Sequence, residues 1–144
     1  QFENWLRARF LWPENLRIEK PVHVYGYDLD SGIVSARLVS MYTKLFHASE
    51  AKDPYALAIT RALADTCKGT LKQFCAGLAH QKKYAFVWGK TGTVREGKHQ
   101  YGIAALHLIN RHSGNKLLLL CYDRRKTGSE AALNALAILK KYQP

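Results

Sequence analysis

The chain has 144 residues, 47% of them apolar and 23% charged, enough for one packed domain and without any low-complexity tract. Its 22 basic and 11 acidic side chains leave a net charge of +11, which suits either a solvated basic surface or an anionic partner such as nucleic acid, lipid headgroups or an acidic cell-wall polymer. No run approaches ~18 uncharged apolar residues, so nothing here reads as a membrane span.

The N-terminus, Gln1-Phe2-Glu3-Asn4-Trp5, has neither an initiator Met nor a signal-peptide core, so the chain is expected to be a piece of a longer polypeptide. Phe2, Trp5, Leu6 and Phe10 recur at helical spacing until Pro13. Residues 13–30 read as loop, with a short extended piece over 22–25. Ser31 can cap a helix that places Val34, Leu38, Met41 and Leu45 on one face. Asp53-Pro54, a capping side chain before Pro at the first helical position, opens another helix that stops at Gly69. Thr70 and Gln73 have the spacing of a capping box for a third, through Leu71, Phe74, Cys75 and Leu78.

The period then changes. Residues 84–88 and 101–109 read as strands, and Arg111-His112-Ser113-Gly114-Asn115 has hairpin-turn chemistry. The apolar run 117–122 predicts a strand buried on both faces. Ser129 then caps a closing helix with Leu133, Leu136, Ala137 and Lys140 along one stripe. The expected fold class is α+β: helices, a three-stranded antiparallel sheet, and a C-terminal helix over the sheet, in one domain spanning 1–144.

No metal or cofactor is expected. Cys67, Cys75 and Cys121 form no CxxC and have no His at ligand spacing, and an odd count excludes a full disulfide framework. Cys67 and Cys75 fall in apolar helical segments and read as small core residues. His99 and His107 share a strand face but lie too far apart to hold one ion.

The run Trp88-Gly89-Lys90-Thr91-Gly92-Thr93 carries the most chemistry. A phosphate-binding loop would need Gly six residues before the Lys, where Tyr84 stands, and a helix directly after it. Lys-Thr-Gly on an edge strand is instead one of three signatures of serine transpeptidases and β-lactamases. Such a strand can pair with an extended peptide, main chain to main chain. Gly92 lets the substrate backbone approach, Lys90 supplies a fixed positive charge, and the hydroxyls of Thr91 and Thr93 can bind a carboxylate. Trp5, Trp12 and Trp88 read as packing residues, and Trp88, beside the motif, can alternatively line the cleft and bind substrate. A second copy, Lys126-Thr127-Gly128, lies between a strand and the Ser129 cap and reads as a loop.

The order of short motifs adds to this. Ser31-Gly32-Ile33-Val34-Ser35-Ala36, then Gly69-Thr70, then Lys90-Thr91-Gly92-Thr93, then two strands and a terminal helix follow one another from about Gly26 to the end. In that order the chain resembles the C-terminal portion of a penicillin-binding serine D,D-transpeptidase domain of the β-lactamase-like fold. The resemblance implies that Lys90 assists proton transfer, and that Thr91 and Thr93 hold the carboxylate of a D-Ala-D-Ala peptide or a β-lactam. It also implies that the backbone N–H of Thr93 forms half of an oxyanion hole. The implied partners are a peptidoglycan stem peptide or β-lactam and the upstream segment of the same domain, with no nucleic acid and any membrane anchor outside this chain. The implied location is the bacterial periplasm or the outer face of the cytoplasmic membrane.

The other two signatures are missing. Ser49-Glu50-Ala51-Lys52 has the letters of Ser-x-x-Lys, but Asp53-Pro54 follows and turns the segment into a loop. Ser113-Gly114-Asn115 has the letters of Ser-x-Asn but falls in the hairpin turn. The chain is therefore expected to carry a substrate-binding strand without its nucleophile, and to be inactive alone. The alternatives are a catalytically lost module that binds cell-wall polymer or protein, and a basic nucleic-acid-binding domain.

Overall fold

The computed structural model describes residues 31–96 and 98–141, together with Asn4, Trp5, Ala8, Ile18, Glu19, His23 and Val24. The architecture is α+β and falls into two compact units, Gln1–Tyr55 and Ala56–Pro144.

In the first unit, β1 (Ile18–Glu19) pairs antiparallel with β2 (His23–Val24), and α1 spans Ser31–Glu50. Leu45 and Ala48 of α1 are buried and Met41 is half-buried, while the side chains of Val34 and Leu38 lie outside the described ones. Asn4, Trp5 and Ala8 are helical; Phe2, Leu6, Phe10, Trp12 and Pro13 lie outside the described residues, as do Val22 and Tyr25 of the extended piece.

α1 ends in a Schellman turn. The amide of Asp53 donates to Ala48 O (3.0 Å), that of Lys52 donates to Ser49 O (3.1 Å), and Lys52 takes the left-handed conformation with φ 60°. Asp53 then caps the next helix, its Oδ1 accepting the Tyr55 amide at 3.0 Å, while Oδ2 accepts from Trp5 Nε1 at 3.1 Å.

α2 (Pro54–Ala64) follows, and the two units divide within its first turn. In the second unit it tightens into a 3₁₀ turn (Asp65–Lys68) and stops at Gly69, and α3 spans Lys72–Gln81. The strands β3 (Tyr84–Glu96), β4 (His99–Asn110) and β5 (Lys116–Arg124) form an antiparallel sheet in that order, and α4 spans Gly128–Lys141. The turn between β4 and β5 is held by Asn110, whose Oδ1 accepts the amides of His112 (2.9 Å) and Ser113 (3.2 Å). Gly114 supplies the left-handed residue there, at φ 72°.

One face of the sheet carries the core. Ala104, Leu106 and Leu108 of β4 pack against Leu71, Phe74 and Leu78 at α3 and against Ala132, Ala135 and Leu139 of α4. Alternation along β4 sends these residues to the helix side and Ala105 and His107 to the other.

Four sequence expectations are corrected here. β3 does not stop at Trp88 but continues to Glu96, with a bulge between Phe86 and Trp88. β5 is not buried on both faces. It is the outer strand beyond β4, so Leu117 to Cys121 are each half-buried and Tyr122 is 41% exposed. The Thr70–Gln73 box does not form; α3 begins after Leu71 without a side-chain cap, and the Thr70 hydroxyl turns to β3. α4 buries Gly128, Ala131, Ala132, Ala135 and Leu139; of the expected stripe Leu133 and Leu136 are half-buried, Leu136 packing on the core, while Ala137 and Lys140 are exposed. Small residues at i, i+3, i+4 and i+7 let this helix lie close on the sheet, and the close approach sets its phase.

Candidate functional site

Strand register divides the motif between the two faces of the sheet. Gly89, Thr91 and Thr93 pair with Leu106, Ala104 and Gly102, which puts them on the helix side. Trp88, Lys90 and Gly92 pair with His107, Ala105 and Ile103 and point to the opposite side. Among the described residues β3 has one strand neighbour, β4.

On the Lys90 side of β3, exposure among the described side chains is confined to the motif, and Gly92 is half-buried. Lys90 is exposed, and its ammonium donates to the carbonyl oxygen of Thr91. A Cβ placed on Gly92 would meet nothing within 4 Å, so packing on that side does not demand a glycine there. Trp88 is placed differently from the cleft-lining position considered for it. It is 2% exposed and meets His107 edge-on, with ring centroids 5.3 Å apart. It packs the sheet.

On the helix side the hydroxyls are engaged unequally. Thr91 is 7% exposed and donates its one proton to Thr70 Oγ1 at 2.9 Å. Thr93 is exposed, and its oxygen accepts the Gly128 amide at 3.0 Å, which leaves its proton for donation. As arranged, Thr93 is therefore the better carboxylate donor of the two. Behind β3, Thr66 Oγ1 shares its one proton between Leu63 O at 2.7 Å and Gly89 O at 3.1 Å. A Cβ on Gly89 would stand 2.7 Å from Leu71 Cδ1 and 3.0 Å from both Ala105 O and Phe86 Cε2, so a larger residue there would force its neighbours to shift.

The two Lys-Thr-Gly copies meet. A Cβ on Gly128 would lie 2.5 Å from Gly92 O and 2.8 Å from Ile103 O, so the second copy's glycine lies flat on the first copy's backbone. Gly102, opposite Thr93, gives the same clearance beneath Thr127. Thr127, not Ser129, is the cap of α4. Its Oγ1 accepts the Glu130 amide at 3.2 Å, and Glu130 Oε2 accepts the Thr127 amide at 2.6 Å. Oε2 also accepts the Thr127 hydroxyl at 2.9 Å, and the two bonds to Oε2, the backbone one first and the hydroxyl second, hold the Glu130 carboxyl below its usual range.

Sequence reading missed Thr66, Thr70 and Thr127 as residues that hold the motif strand and its neighbour. The Thr-x-x-Glu spacing at 127–130 was a legible signal, whereas nothing local marks Thr66 or Thr70 as partners of β3. A shallow groove of about 320 Å³ adjoins this side, with Thr70, Lys72 and Gln73 on one wall and Ser129 and Leu133 on the other.

The segment 49–52 is not wholly the expected loop, because Ser49 and Glu50 close α1 and only Ala51 and Lys52 turn away; 113–115 is the expected turn. Ser49 Oγ donates to Phe46 O at 2.8 Å at the end of α1, and Lys52 is in the left-handed turn that follows. Ser113 and Asn115 lie in the β4–β5 turn, where Ser113 Oγ accepts the Asn115 amide at 3.2 Å. Among the described residues no His, Cys, Asp and Glu cluster could hold a metal ion, and no helix is long and apolar enough to cross a membrane. No family model, curated protein or solved structure matches the chain.

Proposed function

We propose that the chain is the C-terminal portion of a serine D,D-transpeptidase-like domain of the β-lactamase-like fold, acting in peptidoglycan synthesis. The observation that carries the reading is the placement of Lys90-Thr91-Gly92-Thr93 on a strand with one strand neighbour among the described residues, with open space beside Gly92. An extended peptide or a β-lactam pairs with that edge. Lys90 assists proton transfer on one side of it, and Thr93, with Thr91 held behind by Thr70, binds the terminal carboxylate on the other. The nucleophilic Ser and the Ser-x-Asn come from polypeptide outside this chain, and acyl transfer runs through a Ser ester there.

The test on this chain is an NMR titration with a D-Ala-D-Ala peptide. Shifts concentrated at the amides of residues 90–94 are expected, and shifts spread evenly over the basic surface would reject the assignment. The net charge of +11 favours one rival, a catalytically lost module that binds acidic cell-wall polymer. That rival predicts salt-sensitive polymer binding without any response of residues 90–94 to the peptide.

A further inference from the structure

We propose that the stacked rings of Tyr101 and Tyr122, with Arg124 beside them, form a saccharide subsite on the Lys90 face of the sheet. Its occupant is the acidic sugar end of the cell-wall glycopeptide whose peptide end pairs with β3. This role rests on the peptide pairing proposed above and extends it across the sheet.

Strand register brings the residues together. Gly92, Ile103 and Tyr122 form one row across β3, β4 and β5, and Tyr101 pairs with Arg124 in the next. Alternation puts both rows on the side of Lys90, away from the core face covered by α3 and α4. The rings of Tyr101 and Tyr122 stack with centroids 5.6 Å apart and planes 22° apart, and His99 meets Tyr101 at 6.5 Å. Tyr101 is half-buried in these contacts, whereas Tyr122 is 41% exposed. The stack therefore offers one open tyrosine ring.

A pyranose packs its face of C–H bonds on such a ring while its hydroxyls stay in water. Arg124 is exposed and makes no ion pair among the described residues, so its guanidinium can take a carboxylate of the sugar or its peptide. The neighbouring acid does not neutralise this face. Asp123 pairs with Gly102 on the helix side, where its Oδ2 accepts from Asn134 Nδ2 at 2.6 Å.

One ligand can span both parts. Tyr122 stands two strand spacings from Gly92, about 10 Å. About three extended residues, at ~3.3 Å each, cover that distance. The path starts in the open space at Gly92, where a Cβ would meet nothing within 4 Å, and crosses the half-buried Ile103. A single-stranded nucleic acid fits less well, because successive bases need a series of open rings.

The experiment follows the amide NMR spectrum of the chain with a D-Ala-D-Ala peptide, an N-acetylglucosaminyl-N-acetylmuramic acid disaccharide, and the glycopeptide that joins them. Expected are shifts at 90–94 with the peptide, at Tyr101, Tyr122 and Arg124 with the disaccharide, and at both sets with the glycopeptide. The joined molecule should bind about tenfold more tightly than the peptide. Tyr122→Ala removes the disaccharide shifts and that gain but keeps the response of 90–94 to the peptide, and Tyr122→Phe retains both. Peptide shifts at 90–94 without any response of Tyr101 and Tyr122 to the sugar would overturn the subsite and leave the transpeptidase reading standing. No response of 90–94 to the peptide would overturn both. An oligothymidylate that binds at Tyr122 more tightly than the disaccharide would overturn the assignment in favour of nucleic acid. The shift map of the unsubstituted chain decides the matter even where a variant fails to fold.

Discussion

Thr127 and Gly128 decide how α4 meets the sheet, and their effects are separable. Replacing Thr127 with Ala removes the acceptor for the Glu130 amide and costs about 1 kcal/mol in urea unfolding. Glu130 adds a pH dependence with a definite sign. Its carboxyl is held low in the folded chain, so its contribution is present above the ordinary Glu range and is lost as pH falls through the lower folded value. Unfolding midpoints measured from neutral pH downward should therefore drop more in the native chain than in Glu130→Gln. The two facing glycines give the sharper contrast. Gly128→Ala drives a methyl into the Gly92 backbone and should cost about 1–3 kcal/mol. Gly92→Ala enters open space and should change stability by no more than about 0.5 kcal/mol. Should Gly92 serve substrate approach, that same variant lowers acylation of a longer, nucleophile-bearing polypeptide by roughly a hundredfold, the loss expected for a displacement near 1 Å.

At the scale of elements, the helix side of the sheet holds the stability of the second unit. Phe74→Ala empties a 1% exposed position against Phe86, Leu106 and α4, and should cost roughly 3–5 kcal/mol. Ile138→Ala, at a 58% exposed position on the outer side of α4, should stay within about 0.5 kcal/mol; comparable losses at both positions would refute the burial pattern. Element type was legible because the signals were local: Asp53-Pro54 opened α2, Gly69 closed the helical run, and Asn110 to Asn115 made the turn. Phase and extent were less legible because they depend on contacts far along the chain. The face of α4 follows from Gly128 lying on Gly92, and the Thr70 hydroxyl is drawn from its expected cap by Thr91, 21 residues later. β3 outran its apolar stretch because β4 pairs with it from Asn110 to His99, whatever the polarity of Lys90 to Thr93. The motif was readable as letters. The division of Lys90 and Thr91 between two faces required the register past the bulge at Phe86/Trp88.

At the scale of the whole chain, the proposed reading leaves this polypeptide with one wall of a site. The Lys-Thr-Gly-Thr strand and its support by Thr66, Thr70 and Gly128 are in this chain, whereas Ser49 and Ser113 sit in a helix end and a turn. The surplus of 11 positive charges draws anionic ligands to any part of the surface, so affinity alone does not discriminate between the readings. Covalent chemistry does. The most direct measurement is labelling by a fluorescent penicillin, made on this chain and on the same chain joined to its upstream segment. The chain alone should take no label, and the longer polypeptide should take a covalent, denaturation-resistant label that substitution of Lys90 diminishes. No label on either would contradict the transpeptidase reading, and label on this chain alone would contradict the placement of the nucleophile outside it.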